Sequence, residues 1–152
     1  MPRYLPVLIS CLLLPVLAGQ GGEPSKQPPV KFVPIDIIID SANAPMAAYQ
    51  VLVKYDAAKI IIVGVEGGSP NGFGQAPFFD QLGLQGGRII IGAFVAQDNL
   101  ATMGKVRVAR LHLRVIGDNP EIAAITSIQV MTAIGPGGKL LPVKAELVLA
   151  VN

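Results

Sequence analysis

The chain has 152 residues, of which 51% are apolar and 14% charged, with a net charge of +2. That balance excludes a self-repelling disordered polymer and favours a chain that buries much of itself. The basic residues are spread along the sequence, so no concentrated field exists to hold a phosphate backbone, and nucleic acid is not expected as a partner.

In chain order, residues 1–18 read as an export signal. Arg3 supplies a positive start, Leu5 to Leu17 form an apolar run, and Val16-Leu17-Ala18 places short residues where a signal peptidase cleaves. The run is broken by Pro6 and Pro15 and is shorter than the roughly 20 apolar residues of a spanning helix, so no membrane span is expected. Leu8-Ile9-Ser10-Cys11 fits the box before a lipidated cysteine only superficially, because lipidation at Cys11 would leave the apolar run on the mature chain. A secreted or extracytoplasmic mature protein without cysteine is therefore expected, held by its apolar core alone. Residues 19–32 are rich in glycine, proline and polar groups and read as a flexible linker.

From Val33 to the end at residue 152, a single domain is expected, dominated by the period of two that marks strands. Val33, Ile35, Ile37 and Ile39 share one face of a first strand, with Asp36 and Asp40 on the other. Pro34 donates no ladder hydrogen bond, so this strand is expected to begin at an edge, with the two carboxylates read as solvated guards in preference to a contribution to an oxygen-ligand calcium site. Tyr49, Val51, Val53 and Tyr55 face one way on a second strand, and Ala48, Gln50, Leu52 and Lys54 the other. Ile60 to Val65 is β-branched with little polar content and reads as a strand covered on both sides. Residues 67–87 read as a long irregular loop, a type uncommon unless functional. Arg88 to Val95 and Val106 to Val115 are further strands. In the latter the apolar phase slips from Val106 and Val108 to Ala109, Leu111, Leu113 and Val115, which a β-bulge near Ala109 would reconcile. Ile125 to Ala133 and Val143 to Val151, joined through Gly135-Pro136-Gly137-Gly138, form either a hairpin or two strands crossing between sheets. Strands with one apolar face each, joined by Gly/Pro turns, imply two packed sheets. The expected fold is all-β: an antiparallel β-sandwich or jelly roll.

The supply of reactive groups is thin. His112 is the single histidine, flanked in alternation by Arg110 and Arg114, and it has no mature cysteine to serve. No catalytic residue, metal site or cofactor is assigned, and an enzyme is not expected. The row Arg107, Arg110, His112, Arg114 offers donors suited to carboxylates, weighed against a plain solubilising face. In the long loop, Phe73, Phe78 and Phe79 either anchor a partner or fold back to cap the sandwich. The absence of tryptophan and the inward Tyr49 and Tyr55 count against a flat sugar-stacking platform.

Ala47 to Asp56 with Lys59 to Val65, Arg88 to Asp98, and Gly104 to Val115 together resemble the cohesin family in order and spacing, and the likeness covers about residues 33–152. The resemblance implies a jelly-roll sandwich of about nine strands that binds dockerin modules through one sheet face, with kinship in fold to carbohydrate-binding modules. It makes an extracellular protein, dockerin-bearing or otherwise, the expected partner and polysaccharide the alternative, in a setting of polysaccharide degradation; a structural surface sandwich is the third reading. The hypothesised contact is one face carrying Gln50, Lys54, Arg110, His112 and Arg114. One departure is visible: the outward positions before Tyr55-Asp56 hold Ala48 and Gln50, where dockerin-binding cohesins carry Asn and Asp.

Overall fold

The computed structural model describes residues 28–97, 100–117 and 126–150. The expected signal segment, Cys11, most of the expected linker, Ile125 and Val151 lie outside the described residues. The strands are β1 (Val30–Asp40), β2 (Ala48–Tyr55), β3 (Ile60–Gly67), β4 (Phe78–Phe79), β5 (Arg88–Phe94), β6 (Lys105–Ile116), β7 (Thr126–Ile134) and β8 (Lys144–Leu149).

They form two antiparallel sheets in the orders β3-β6-β1-β8 and β4-β5-β2-β7. β1 lies beside β8, β2 beside β7, β3 beside β6 and β4 beside β5. Strands counted inward from the two ends of the chain thus pair in turn, which is the winding of a jelly roll. The expected antiparallel sandwich is the fold observed, with eight strands among the described residues rather than about nine. Of the two alternatives for the last strands, the crossing is the one observed, since β7 and β8 belong to different sheets.

The alternation places the core as expected. Ile35, Ile37 and Ile39 of β1 and Leu111 and Leu113 of β6 face Val51 and Val53 of β2 and Ile89 and Ile91 of β5, all of them buried. The phase slip in β6 is resolved by the expected bulge. Ile37 pairs with Ala109 but Ile38 with Arg107, so Val108 is the extra residue. Val108 and Ala109 are both wholly buried. The Tyr49 hydroxyl, from the other sheet, donates to the Val108 carbonyl at 3.0 Å. That bond satisfies an acceptor which the irregular ladder would strand in the core.

Three expectations are corrected. β1 is an interior strand and begins at Val30, so residues 30–32 belong to the sheet rather than to a linker. Pro34 is tolerated because its carbonyl accepts from Ala150 at 3.1 Å; its nitrogen faces the same side, beyond the last rung with β8 at Ile35 and Leu149. β3 is an edge strand with Val63 half exposed, because a β-branched run reports fitness for a pleated sheet and not cover on both faces. Val63 is itself a bulge, as is Met131 in β7. Residues 67–87 contain a helical turn (Pro70–Phe73), the short strand β4 and a 3-10 turn (Gln81–Leu84), so the stretch is more ordered than its composition suggests.

Burial raises the Tyr49 pKa well above its ordinary value of 10.0. The unfolded chain releases that proton near pH 10 while the folded one keeps it, so stability falls as the pH climbs past that point. In urea titrations, Tyr49→Phe is expected to lose about 1–3 kcal/mol at pH 7 by orphaning the Val108 carbonyl. It should also remove up to ~1.4 kcal/mol per pH unit from the alkaline slope of the parent. A slope identical to the parent's would refute the assignment.

Candidate functional site

The two outward faces of the sandwich are built differently, and the hypothesised contact residues are divided between them. Gln50 and Lys54 stand on β2, whereas Arg110, His112 and Arg114 stand on β6 of the opposed sheet. Each set points away from the common core, so the five do not form one surface. Alternation shows that a side chain points out of its sheet; it does not show which sheet the strand joins.

On the β3-β6-β1-β8 face the charges are largely spent on one another. Arg110 Nε lies 2.7 Å from Asp36 Oδ1 and its Nη2 lies 3.1 Å from Oδ2, a forked pair across the β1–β6 ladder. These hydrogen bonds raise the Arg110 pKa. Arg107 donates to the Gly68 carbonyl at 3.2 Å and reaches Asp36 at 3.9 Å. Asp36 is therefore an internal counter-ion, not the solvated edge guard expected. Asp40 accepts from the Ala42 amide at 2.9 Å and shapes the turn after β1. His112 Nε2 is 2.9 Å from Glu66 Oε1, an ion-pair distance outside hydrogen-bond alignment, and Lys105 reaches Glu146 at 3.2 Å. The row of basic residues exists, but most of it is already occupied.

Among the described residues the β4-β5-β2-β7 face shows no such pairing of opposite charges. Its rungs run Phe94–Ala48–Ile134, then Phe78–Gly92–Gln50–Thr132, then Ile90–Leu52–Gln129, and finally Arg88–Lys54–Ser127. Phe78 and Phe94 are 74% and 65% exposed, with near-parallel rings 6.2 Å apart. A groove of about 510 Å³ runs past this pair, floored by Gly92, where a Cβ would sit 3.0 Å from the Tyr49 carbonyl. Gln50 stands on its far wall. At the other end of the face Lys54 and Arg88 are directly opposed, and among the described residues neither has an ion-pair partner, an arrangement that costs stability between like charges. The face thus passes from aromatic, through an amide, to basic.

The three loop phenylalanines separate. Phe73 is buried, packed edge-on against Tyr49 with ring centroids 5.1 Å apart, so it plugs the core. Phe79 packs against the core from β4. Phe78 alone projects outward. Its partner Phe94 is not among the residues singled out from the sequence, where it only ends an aliphatic strand; its outward phase, shared with Ile90 and Arg88, is the available signal.

With this geometry in place, comparison with known proteins gives one informative result. The non-cellulosomal cohesin from the hyperthermophilic archaeon Archaeoglobus fulgidus superposes with a TM-score of 0.53 at 17% identity, covering 76% of this chain and 75% of that one. The fold is that of a cohesin. No family model and no curated protein sequence matches the chain.

Because Phe78 is exposed, Phe78→Ser is expected to leave the unfolding free energy within about 0.5 kcal/mol of the parent. Asp36→Asn should lower the urea midpoint clearly, by weakening the forked pair. A large loss with Phe78→Ser would show that this ring is structural.

Proposed function

We propose that this protein is a non-catalytic binding module that engages another protein through the outward face of the β4-β5-β2-β7 sheet. The observation that carries the reading is the exposed, parallel Phe78–Phe94 pair beside a glycine-floored groove. Exposed aromatic rings on a preformed rigid surface supply contact area at little conformational cost, the usual character of interface anchors. A sheet face also keeps its shape on binding, since each strand is fixed by its neighbours. The partner that fits presents an apolar side chain to the groove and a carboxylate to Lys54 and Arg88, two rungs from the Gly92 floor along the face.

The cohesin fold supports attachment to a dockerin-bearing protein outside the cytoplasm, in a setting of polysaccharide breakdown. The amino-terminal signal pattern supports export, with cleavage after Ala18. The scarcity of nucleophiles and of histidine supports a role without turnover. Gln50, Lys54 and Phe78 are the residues of the initial hypothesis that this reading keeps, and Phe94 and Arg88 join them.

Immobilised mature domain, offered the host's secreted proteins beside soluble and insoluble polysaccharides, tests the reading. Capture of a specific protein, weakened at least tenfold in affinity by Phe78→Ser with Phe94→Ser and weakened by added salt, is the expected result. Retention on polysaccharide with no protein captured would reassign the aromatic pair to sugar stacking. Capture that the double variant leaves unchanged would place the contact elsewhere.

A further inference from the structure

The β3-β6-β1-β8 face contains one forked arginine–carboxylate pair and, four residues along both strands, the same arrangement with the carboxylate missing. Arg110 opposes Asp36 across the β1–β6 ladder, and Arg114 opposes Phe32. On the other side of Arg114 stands Ile61 of β3. Among the described residues Arg114 has no acidic or carbonyl partner, whereas Arg107, Arg110, His112 and Lys105 on the same strand each have one. Its neighbours toward the end of the sheet are apolar: Phe32 is 72% exposed and Val30 is 42% exposed, Pro34 and Ile116 occupy neighbouring outward positions, and on the inner side stands His112, already paired with Glu66.

We infer that this end of the face is a second docking surface, and that its occupant is an acidic segment of another protein whose carboxylate completes the fork on Arg114 between Phe32 and Ile61. A guanidinium with a free planar fork is matched by a carboxylate in two parallel hydrogen bonds. An apolar frame that excludes water on docking strengthens such a bond relative to one in open solvent. The rung at Asp36 shows that the pleat spacing accommodates the pairing, since the two bonds there close at 2.7 and 3.1 Å.

A second copy of this chain fits poorly. In a two-fold interface centred on this patch a residue near the axis meets its own counterpart, so the unpaired guanidinium would be buried without a carboxylate. With the other cations of β6 already paired, a single unpaired arginine among the described residues is also unlike the multiple free cations that hold a phosphate backbone. The surface lies on the side of the sandwich opposite to Phe78 and Phe94, so the inference is independent of the function proposed above. With both faces occupied the domain bridges two partners.

Random dodecapeptides displayed on phage, selected on immobilised mature domain carrying Phe78→Ser and Phe94→Ser, test this surface with the opposite face silenced. The expected result is enrichment of peptides with Asp or Glu between apolar residues. Their affinity should drop at least tenfold in Arg114→Gln and in Phe32→Ser, and recover only partly in Arg114→Lys. Circular dichroism and the urea midpoint should show each variant folded. The inference is overturned if no peptide is enriched, if the enriched peptides lack acids, or if they bind Arg114→Gln equally well. Sedimentation as a dimer that Phe32→Ser dissociates would also overturn it, giving the patch to a second copy.

Discussion

Two consecutive residues of β6, Val108 and Ala109, point into the same core, and the rest of the sandwich is arranged around that irregularity. A twelve-residue strand with strict alternation would send either its first or its second half of apolar side chains to solvent. The bulge keeps Val108 inside together with Ala109, Leu111 and Leu113, and the Tyr49 hydroxyl from the opposed sheet ties off its carbonyl. That hydrogen bond ties β6 to β2 across the core at the bulge, on top of the ladders that set each strand's register. Phe73, packed on the Tyr49 ring, ties the long loop to the same point.

The fixed register decides what each outward face can do. Past the bulge, Arg110, His112 and Arg114 fall outward together and meet β1 in phase, so Arg110 finds Asp36 and Arg114 finds Phe32. One rung closes on itself, and among the described residues the other stays open. On the other sheet no carboxylate stands on the central rungs to neutralise Lys54 and Arg88, while the aromatic pair sits where β4 adds a short edge to β5. One shared core thus carries two unlike exteriors, one charge-paired and one aromatic and basic.

Local properties were legible in the sequence and long-range ones were not. The inward sets on β1, β2 and β6, and the need for a bulge near Ala109, follow from counting in twos. Whether Gln50 shares a surface with Arg110 depends on which strands are neighbours, and pairing between residues 60 positions apart leaves no trace in alternation. The same limit explains Asp36: its isolation on a polar phase looked like solvent exposure until β6 supplied two arginines. β3 was read as covered because β-branched composition marks sheet preference alike at an edge and in a core. Phe73, between two glycines, and Phe78, between Pro77 and Phe79, sit in one loop, and the tertiary positions of Tyr49 and Gly92 separate plug from projection.

Sheet margins carry a last consequence. β3 is interrupted at Val63 and β7 at Met131, and β4 is two residues long, so three of the four margins offer no straight run of free amides and carbonyls. Fibril growth needs such a run as its template. Interrupted margins of this kind disfavour pairing between copies through the backbone and leave contacts to the side chains on the flat faces.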